Sequence, residues 1–509
     1  MDNNNTSQYV KINLASYLID EDIIKQVPGA LVKKFHFMPV FKIGNTLTIA
    51  TAEPDNLITL DEVRKNLGME IDALFAESDD IDNAITQHYG LMDLIETYAT
   101  TASEEKVDLP KTILDETIKI SADKMEDSSI VNLVNLIINQ AFLKHASDIH
   151  IEPAENDVLI RLRVDGELYE LKKLEKQLLS PIVSRIKVIA GMDIAETRIP
   201  QDGYIKMNID NKVLELRVSS LPMIHGENIV IRLLSKGDIE FGLDQLGFRG
   251  KDAEQFGRLV TSPFGMILVT GPTGSGKTTT LYAALTAINK STKNIITLED
   301  PVEHQLPLIR QVQVNPKAGL EFSTGLRSVL RQDPDIIMVG EIRDLETVEL
   351  AIRSALTGHL VLSTLHTNDA PSALIRLSDM GVEPFLISSA VIGILAQRLV
   401  RKICSKCKAP YAPSKNEIEF LELDSSKELF KGRGCKTCGQ SGYRGRIGVF
   451  ELMTMSDDIK SLLTKNKSIT EIRNLAISEG MISIKEDALS KIYNGLTTPE
   501  EVIKVVKLL

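Results

Sequence analysis

The residues with the clearest chemistry form a glycine-rich run, Gly271-Pro-Thr-Gly-Ser-Gly-Lys-Thr278, between an apolar strand-like segment and a helix-like one. Glycines there allow successive backbone N–H groups to turn towards phosphate oxygens, and the start of the helix adds partial positive charge. We expect Lys277 to reach the β- and γ-phosphates of a nucleotide and the Thr278 hydroxyl to hold Mg²⁺. The predicted nucleotide-binding residues are Gly271, Pro272, Thr273, Gly274, Ser275, Gly276, Lys277, Thr278 and Thr279.

Acidic residues end two other apolar segments. The run Ile336–Val339 is typical of a buried parallel strand, and Glu341 follows it closely. The carboxyl ends of such strands border the crevice where doubly wound sheets bind ligands, so Glu341 is predicted to reach a metal-bound water or the attacking water. Residues 295–298 likewise end in Glu299 and Asp300, and a carboxylate there is able to accept the proton of the attacking water.

Two histidines flank a third strand-like segment, "TGHLVLSTLHTND". An imidazole is able to hydrogen-bond a γ-phosphate oxygen and so to report its presence. We therefore expect His359 and His366 near the same phosphate. A structural hydrogen-bonding role is the alternative, and the residues by themselves leave both open.

All four cysteines lie in two Cys-x2-Cys pairs that are separated by 27 residues: Cys404, Cys407, Cys435 and Cys438. Four thiolates with this spacing are able to share one tetrahedral zinc ion. The alternative is a pair of disulfides, which the reducing cytosol disfavours. A closed four-thiolate shell leaves no open position for catalysis, so the predicted Zn²⁺ is structural.

Bulk composition narrows the class of protein. The chain has 509 residues with 43% hydrophobic and 25% charged residues, which is typical of a soluble globular protein with about three domains. Its net charge of −12 argues against nucleic acid as the substrate, because phosphate binding requires a basic surface. The first residues lack the features of a signal peptide, and the most apolar window, 384–397, is too short to span a bilayer. We expect a cytoplasmic protein.

The pattern along the chain predicts α/β architecture in several parts. Residues 1–92 are predicted to form a small α/β domain, and residues 93–127 a polar linker. Residues 128–243 alternate as an α+β domain does. Residues 244–509 alternate strands and helices, which is typical of a parallel sheet with crossover helices, and include the zinc module at 402–446.

Four motifs, in order along the chain, resemble those of the secretion ATPase superfamily: "GPTGSGKTTTLY", "TLEDPVEHQ", "LRQDPDIIMVGEIRD" and "TGHLVLSTLHTND". They are similar to the Walker A motif, Asp box, Walker B motif and His box of the assembly motors of type II secretion and type IV pili. The segments "ASDIHIEP", "RLRVDG", "RIPQDG", "LRVSSLP" and "GENIVIRLL" resemble the domain before the motor, and "EIRNLAISEGM" resembles its C-terminal part. The resemblance covers about residues 10–509.

The resemblance implies a RecA-like P-loop motor domain preceded by a PAS-like α+β domain and a small α/β N-terminal domain. It also implies a homo-hexamer that hydrolyses Mg-ATP. Arg217 and Arg232 match arginines that reach nucleotide phosphates, whereas the residues by themselves equally allow outward positions on half-buried strands. Arg327 and Arg331 match positions that stabilise the closed domain arrangement. The implied catalytic set is Glu299, Glu341, Lys277, His366, Arg217 and Arg232.

The partners implied are an inner-membrane platform protein and a membrane partner of the N-terminal domain, without nucleic acid. The chain would associate peripherally with the cytoplasmic face of the inner membrane and power assembly of a pilus or pseudopilus. A retraction motor, a DNA-translocating hexamer and a non-hydrolysing nucleotide-binding scaffold are the alternatives. Basic residues near the cysteines indicate either a solvated surface or a docking face for the platform protein or anionic lipid: Arg398, Arg401, Lys402, Lys406, Lys408, Arg444 and Arg446.

Overall fold

The computed structural model describes residues 12, 14, 21–82, 84–85, 89, 128–209, 212–235, 242–424 and 426–506. They belong to two compact units, hereafter the N-terminal unit (residues 1–235) and the C-terminal unit (residues 236–509). The predicted linker at 93–127 lies outside the described residues, and the predicted domain boundaries remain predictions.

The first part of the N-terminal unit is a small α/β sheet. Its elements are α1 (Glu21–Gln26), α2 (Gly29–Phe35), β1 (Phe37–Ile43), β2 (Thr46–Thr51), α3 (Leu57–Leu67) and β3 (Glu70–Phe75). β2 and β3 are parallel, so α3 is the crossover helix that joins them. Asn56 caps the start of α3 by accepting a hydrogen bond from the Thr59 N–H, and Gly68 ends the helix with a left-handed φ of 64°.

The second part of this unit is an antiparallel sheet with two helices. Its elements are α4 (Ser128–Leu143), β4 (Asp148–Pro153), β5 (Asp157–Val164), β6 (Glu167–Glu175), α5 (Leu179–Ala190), β7 (Gln201–Ile209), β8 (Lys212–Met223) and β9 (Gly226–Ser235). The strand order is β6-β5-β4-β9-β8-β7. Alternation along β5 buries Val158, Ile160 and Leu162 in a core shared with both helices. Asp165 and Gly166 form the turn between β5 and β6, with φ of 51° and 92°.

The C-terminal unit contains one large sheet whose helices connect successive strands. Its first elements are α6 (Gly250–Val260), β10 (Gly265–Thr270), α7 (Lys277–Ile288), β11 (Ile295–Glu299), β12 (Arg310–Gln313), α8 (Phe322–Val329), β13 (Ile336–Val339), α9 (Leu345–Leu356) and β14 (Leu360–Leu365). The sheet continues with α10 (Ala370–Asp379), α11 (Pro384–Ala390) and β15 (Val391–Ile403), and it closes with β18 (Tyr443–Thr454). The order is β12-β11-β13-β14-β10-β15-β18, and only β18 runs antiparallel to its neighbour.

Parallel pairing brings the carboxyl ends of four strands to one edge of the sheet. Leu298 is opposite Val339, Val339 is opposite Ser363, and Thr270 is opposite Leu365. The side chains that follow β10, β11, β13 and β14 therefore meet at this edge, where open α/β sheets bind ligands. The apolar and β-branched residues of these strands are almost completely buried, because helices cover both faces of the sheet.

The remaining elements of the C-terminal unit lie between β15 and β18 in the chain or follow β18. They are β16 (Lys408–Tyr411), α12 (Lys415–Leu421), β17 (Leu429–Gly432), α13 (Asp457–Thr464), α14 (Ile469–Ser478), α15 (Ile484–Tyr493) and α16 (Pro499–Val506). The apolar window at 384–397 divides between α11 and β15. Among the described residues, no helix has both the length and the apolar character that crossing a bilayer requires.

Candidate functional site

The glycine-rich run forms a tight loop between β10 and α7. Gly271, Gly274 and Gly276 have φ values of 151°, 77° and 86°, which L-residues with a side chain rarely adopt. A Cβ atom at Gly271 would overlap the carbonyl oxygen of Gln397 on the neighbouring strand β15. Because α7 begins at Lys277, its free backbone N–H groups lie at the end of this loop. The local geometry is that of a phosphate cradle.

Two side chains of the loop are arranged to receive an anion. The Lys277 ammonium donates hydrogen bonds to the carbonyl oxygens of Gly271 (2.8 Å) and Pro272 (3.0 Å). Burial, and after it the neighbouring Arg398, lower the pKa of Lys277 to about 8, against an opposing effect of Glu341. Among the described residues the buried hydroxyl of Ser275 has no hydrogen-bond partner. A phosphate group would satisfy both side chains, so the loop fits a bound nucleotide.

The strand ends border one cleft of about 160 Å³ next to this loop. The predicted residues Glu299, Glu341 and His366 line it together with Lys277 and Thr278. The other lining residues are Leu281, Asp300, Pro301, Glu303, Phe322, Met338, Gly340 and Thr364. Side chains from the ends of β11, β13 and β14 therefore converge on the phosphate loop that follows β10, as the sequence predicts.

Glu341 is partly exposed to the cleft, with 19% of its side chain accessible. Its Oε1 accepts a hydrogen bond from Arg343 Nη2 at 2.5 Å, and its Oε2 lies 3.9 Å from His366 Nε2. Burial, and after it Lys277, lower the pKa of His366 below its ordinary value of 6.5. The imidazole is therefore neutral at physiological pH, which lets one ring nitrogen donate and the other accept.

Glu299 is buried and held by three donors. Thr297 Oγ1 lies 2.6 Å and Gln311 Nε2 lies 3.0 Å from Glu299 Oε1, and the Tyr282 hydroxyl donates to Oε2. Asp300, the next residue, is exposed and lines the cleft. Glu299 is thus the rigid acid of the site and Asp300 the solvated one.

The expectation that His359 lies near the phosphate is wrong. His359 precedes β14 and His366 follows it, so about 20 Å of extended chain separates them. The Nδ1 atom of His359 lies 2.9 Å from the Ser354 carbonyl oxygen at the end of α9. His359 therefore has the structural hydrogen-bonding role that was its alternative.

Arg217 and Arg232 are directly opposite each other on β8 and β9. Arg232 Nε lies 3.0 Å from Asp148 Oδ1, and the other carboxylate oxygen of Asp148 lies 3.8 Å from Arg163 Nε. Both predicted arginines thus belong to a charged row on the sheet face away from α4 and α5, and Arg163 is a member that the sequence reasoning missed. Because they lie in the N-terminal unit, their contact with a nucleotide remains a prediction.

The predicted arginines Arg327 and Arg331 are in or next to α8. The Arg327 guanidinium forms an ion pair with Glu346, and Arg331 donates a 2.8 Å hydrogen bond to the Arg327 carbonyl oxygen. Both bonds lie within the C-terminal unit, and the part of these arginines in domain closure remains a prediction.

The four cysteine sulfurs converge. The Sγ–Sγ distances are 3.8 Å for Cys404–Cys435, 3.8 Å for Cys407–Cys438 and 3.7 Å for Cys435–Cys438. A tetrahedral ion with Zn–S bonds of about 2.3 Å requires separations of about 3.8 Å. The backbone N–H groups of Cys435 and Gly442 lie 3.2 and 3.3 Å from Cys438 Sγ, as donors to a thiolate do. All four thiols are free, so disulfides are ruled out in this structure and the cluster fits zinc.

Two residues of the predicted basic surface are not on the surface. Arg398 and Arg401 are 3% and 9% exposed, because both lie in the covered part of β15. Arg401 Nη2 lies 2.7 Å from Glu501 Oε1, and Arg398 Nη2 lies 3.1 Å from the Asn368 carbonyl oxygen. The exposed members of the patch are Lys402, Lys406, Lys408, Arg444 and Arg446.

Known proteins identify the family. Residues 123–504 match the family described as "Type II/IV secretion system protein", and residues 7–93 match the MshEN domain. This chain belongs to the type II/IV secretion system protein family. This membership confirms the resemblance to secretion ATPases, the α/β fold class and the predicted ATPase activity. The PAS-like description of the second domain remains a prediction.

Relatives of this secretion ATPase include the type IV pilus assembly ATPase PilB of Myxococcus xanthus, which is 42% identical over 504 residues (97% of this chain and 88% of the relative). The type II secretion system protein E of Pseudomonas aeruginosa is 48% identical over 387 residues (76% of this chain and 77% of the relative). Among solved structures, the pilus retraction motor PilT with bound ADP has a TM-score of 0.51 at 27% identity and covers 72% of this chain and 95% of its own. The ATPase DotB of Legionella pneumophila (TM-score 0.56, 19% identity, 74% of this chain and 95% of its own) has the same fold.

Proposed function

We propose that this secretion ATPase hydrolyses Mg-ATP in the cleft beside residues 271–278 to power assembly of a type IV pilus or a type II secretion pseudopilus. The observation that carries the proposal is the convergence of Glu299 and Glu341 on the phosphate loop from two neighbouring strands. A loop that only bound nucleotide would not require two carboxylates at the position of the terminal phosphate.

The phosphate groups would be bound by the loop N–H groups, by Lys277 and by the unpaired Ser275 hydroxyl. The Thr278 hydroxyl and Glu341 would hold Mg²⁺, directly or through water. When bound, the metal neutralises the charge that develops on the transferring phosphoryl group. Neutral His366 would donate a hydrogen bond to a γ-phosphate oxygen.

Glu299 would orient the attacking water and accept its proton. The water oxygen forms a bond to the γ-phosphorus while the bond between that phosphorus and the β–γ bridging oxygen breaks, which releases ADP and phosphate. Proton acceptance requires a fixed carboxylate oxygen close to the terminal phosphate, and the three donors that hold Glu299 support this role.

We infer that the working form is a homo-hexamer at the cytoplasmic face of the inner membrane. Arg217 and Arg232 of the N-terminal unit would bring positive charge to the nucleotide when the ring closes. An inner-membrane platform protein would receive the stroke, and a membrane partner would bind residues 1–92. Zn²⁺ at the four cysteines would stabilise the fold and take no part in hydrolysis.

The substitution Glu341→Gln tests the hydrolytic role. It keeps the shape of the side chain and removes its charge, so kcat should fall by about 10²- to 10⁴-fold while nucleotide binding persists. Glu349→Gln is the matched control, because Glu349 lies on α9 outside the cleft, its side chain is 43% exposed, and its partner Arg353 is 3.3 Å away. Unchanged hydrolysis by Glu341→Gln would show that the cleft does not work as proposed.

Charge reversal in the exposed part of the basic patch tests whether this patch binds the platform protein. Reversing the charge of Lys402, Lys406 and Lys408 should weaken co-purification with the platform protein at physiological salt and leave basal hydrolysis unchanged. Reversal of Lys290, Lys317 and Lys465, which are exposed lysines of the C-terminal unit outside the patch, is the control for a general change of charge. Equal retention of the platform protein by both triple variants would show that this patch is a solvated surface and does not bind the platform protein.

A further inference from the structure

Tyr282 lies one helical turn beyond Thr278 on α7. The spacing of four residues places both side chains on the same face of the helix, towards β11. Thr278 borders the cleft, whereas Tyr282 is 1% exposed beneath it. A tyrosine at such a depth is buried with its hydroxyl, and that hydroxyl requires partners.

The partners of this hydroxyl connect the phosphate-loop helix with the acid of the neighbouring strand. The phenol O–H donates to Glu299 Oε2. The same oxygen lies 3.2 Å from the Glu303 backbone nitrogen and 3.5 Å from that of His304. The Tyr282 hydroxyl, which is carried by α7, therefore contacts both the Glu299 carboxylate and the backbone at 303–304.

The Glu299 carboxylate has hydrogen-bond acceptor capacity that its three donors do not use. An ionised carboxylate offers about four lone-pair positions. Thr297 and Gln311 occupy Oε1, and Tyr282 occupies one position of Oε2. Of the donors in the described residues none takes the second position of Oε2, and Glu299 lines the cleft. One oriented acceptor position is thus left for a ligand or water.

We propose that Tyr282 is a positioning residue, which holds Glu299 through its hydroxyl so that the free acceptor position of Oε2 meets the attacking water. The inference rests on the proposed function of Glu299. Without the hydroxyl, the carboxylate would keep its charge and its Oε1 donors but would be free to rotate about its last bond. Misplacement of a reacting group by a fraction of an ångström is enough to reduce turnover.

The Tyr282 hydroxyl is able to donate its hydrogen bond to Glu299 at every physiological pH. Burial, and after it the hydrogen bond to Glu299, raise the pKa of Tyr282 above its ordinary value of 10.0. The hydroxyl therefore stays protonated over the whole working range of pH. The backbone N–H groups at 303 and 304 further orient its hydrogen towards Glu299, since they occupy the acceptor side of the oxygen.

The first test is Tyr282→Phe in the full-length protein, compared with Tyr443→Phe. Both changes remove one buried hydroxyl, because Tyr443 is 6% exposed and its oxygen lies 2.8 Å from Thr498 Oγ1, outside the cleft. We expect kcat for ATP to fall by about 10- to 100-fold in Tyr282→Phe, with KM and the affinity for Mg-ATP changed less than about twofold. Tyr443→Phe should retain the wild-type kcat.

A double-mutant cycle with Glu299→Gln separates positioning from a general structural effect. If Tyr282 acts through Glu299, the loss of its hydroxyl costs nothing further once the carboxylate is gone, so the double variant should have the kcat of Glu299→Gln alone. A purely structural role would instead lower kcat by the same factor in both backgrounds, and that result would overturn the inference.

The outcomes also separate this inference from the proposed function. Wild-type turnover by Glu299→Gln would overturn the role of Glu299 itself, whereas loss of turnover there with full activity in Tyr282→Phe would overturn only the positioning role. If Tyr282→Phe lacks a cooperative unfolding transition, Thr297→Val is measured instead, since it removes the 2.6 Å donor on the other oxygen. Full activity of that variant would show that Glu299 needs no positioning donors.

Discussion

Oε2 of Glu341 lies 3.9 Å from Nε2 of His366, although 25 positions separate the two residues in the chain. They end β13 and β14, which are parallel neighbours, so the register of the sheet sets the distance between them. The carboxylate and the neutral imidazole form one side of the cleft, and Lys277 faces them from the phosphate loop. Substitutions of His366 therefore probe this edge of the sheet directly.

Replacement of His366 by Leu should lower kcat by about 10²-fold, because a donor to the γ-phosphate is lost in the transition state. His366→Gln, which keeps a neutral donor, should retain more activity than the leucine variant. The measurement is steady-state ATP hydrolysis. His359→Leu is the matched control at the other end of the same strand, and its kcat should be close to wild type; a larger loss there than in His366→Leu would contradict the assignment.

Nucleotide binding should take up protons near pH 8. The pKa of Lys277 is lowered to about 8, and a bound phosphate raises it again, so free enzyme loses this charge as the pH rises through 8 and bound enzyme keeps it. Calorimetry of Mg-ATP binding in buffers of different ionisation enthalpy should report about half a proton per site at pH 8, from this lysine. The affinity should decline above pH 8. Lys277→Arg removes the titrating group, and persistence of the uptake in that variant would refute the explanation.

One zinc ion per chain should be found by elemental analysis of the purified protein. Removal with a strong chelator should expose four reactive thiols and lower the unfolding temperature, because the thiolates lose the ion that neutralises their mutual repulsion. Re-addition of Zn²⁺ should restore the unfolding temperature. The variant Cys438→Ser should bind zinc weakly from the start, and a protein that purifies with four reactive thiols and no metal would contradict the zinc assignment.

Arg401→Met should destabilise the C-terminal unit by about 1.5–3 kcal/mol, since the Glu501 carboxylate loses its buried partner and keeps the half-exposed Lys504 at 2.9 Å as its remaining cation. The side chains of Arg401 and Glu501 are only 11% and 7% exposed. Lys431→Met breaks the adjacent Lys431–Glu500 pair, whose side chains are 44% and 48% exposed, and should change the free energy of unfolding by at most about 1 kcal/mol. Urea unfolding of both variants gives the comparison; equal effects would mean that burial of Arg401 has no energetic consequence.

The parts of this protein that the sequence by itself determined are those in which chemistry and spacing are local. The phosphate loop is encoded within eight consecutive residues, since its glycines determine the local backbone conformation without distant contacts. The Cys-x2-Cys pairs bring two thiolates together within one turn in the same way. Runs of apolar residues before Glu299 and Glu341 were sufficient to place both acids at strand ends, because a strand buried on both faces is a continuous apolar run.

Tertiary structure alone decided which side chains meet and which are buried. His359 and His366 flank the same strand, but only the parallel register shows that a single end of β14 reaches the cleft. Arg398 and Arg401 have the composition of a surface patch, yet elements distant in sequence cover them, as Glu501 does for Arg401. Tyr282 ends the motif segment "GPTGSGKTTTLY", but the residues by themselves assign it no role, because its contact with Glu299 depends on the packing of α7 against β11. Burial and partner choice are set by non-local contacts, which no local pattern of residues encodes.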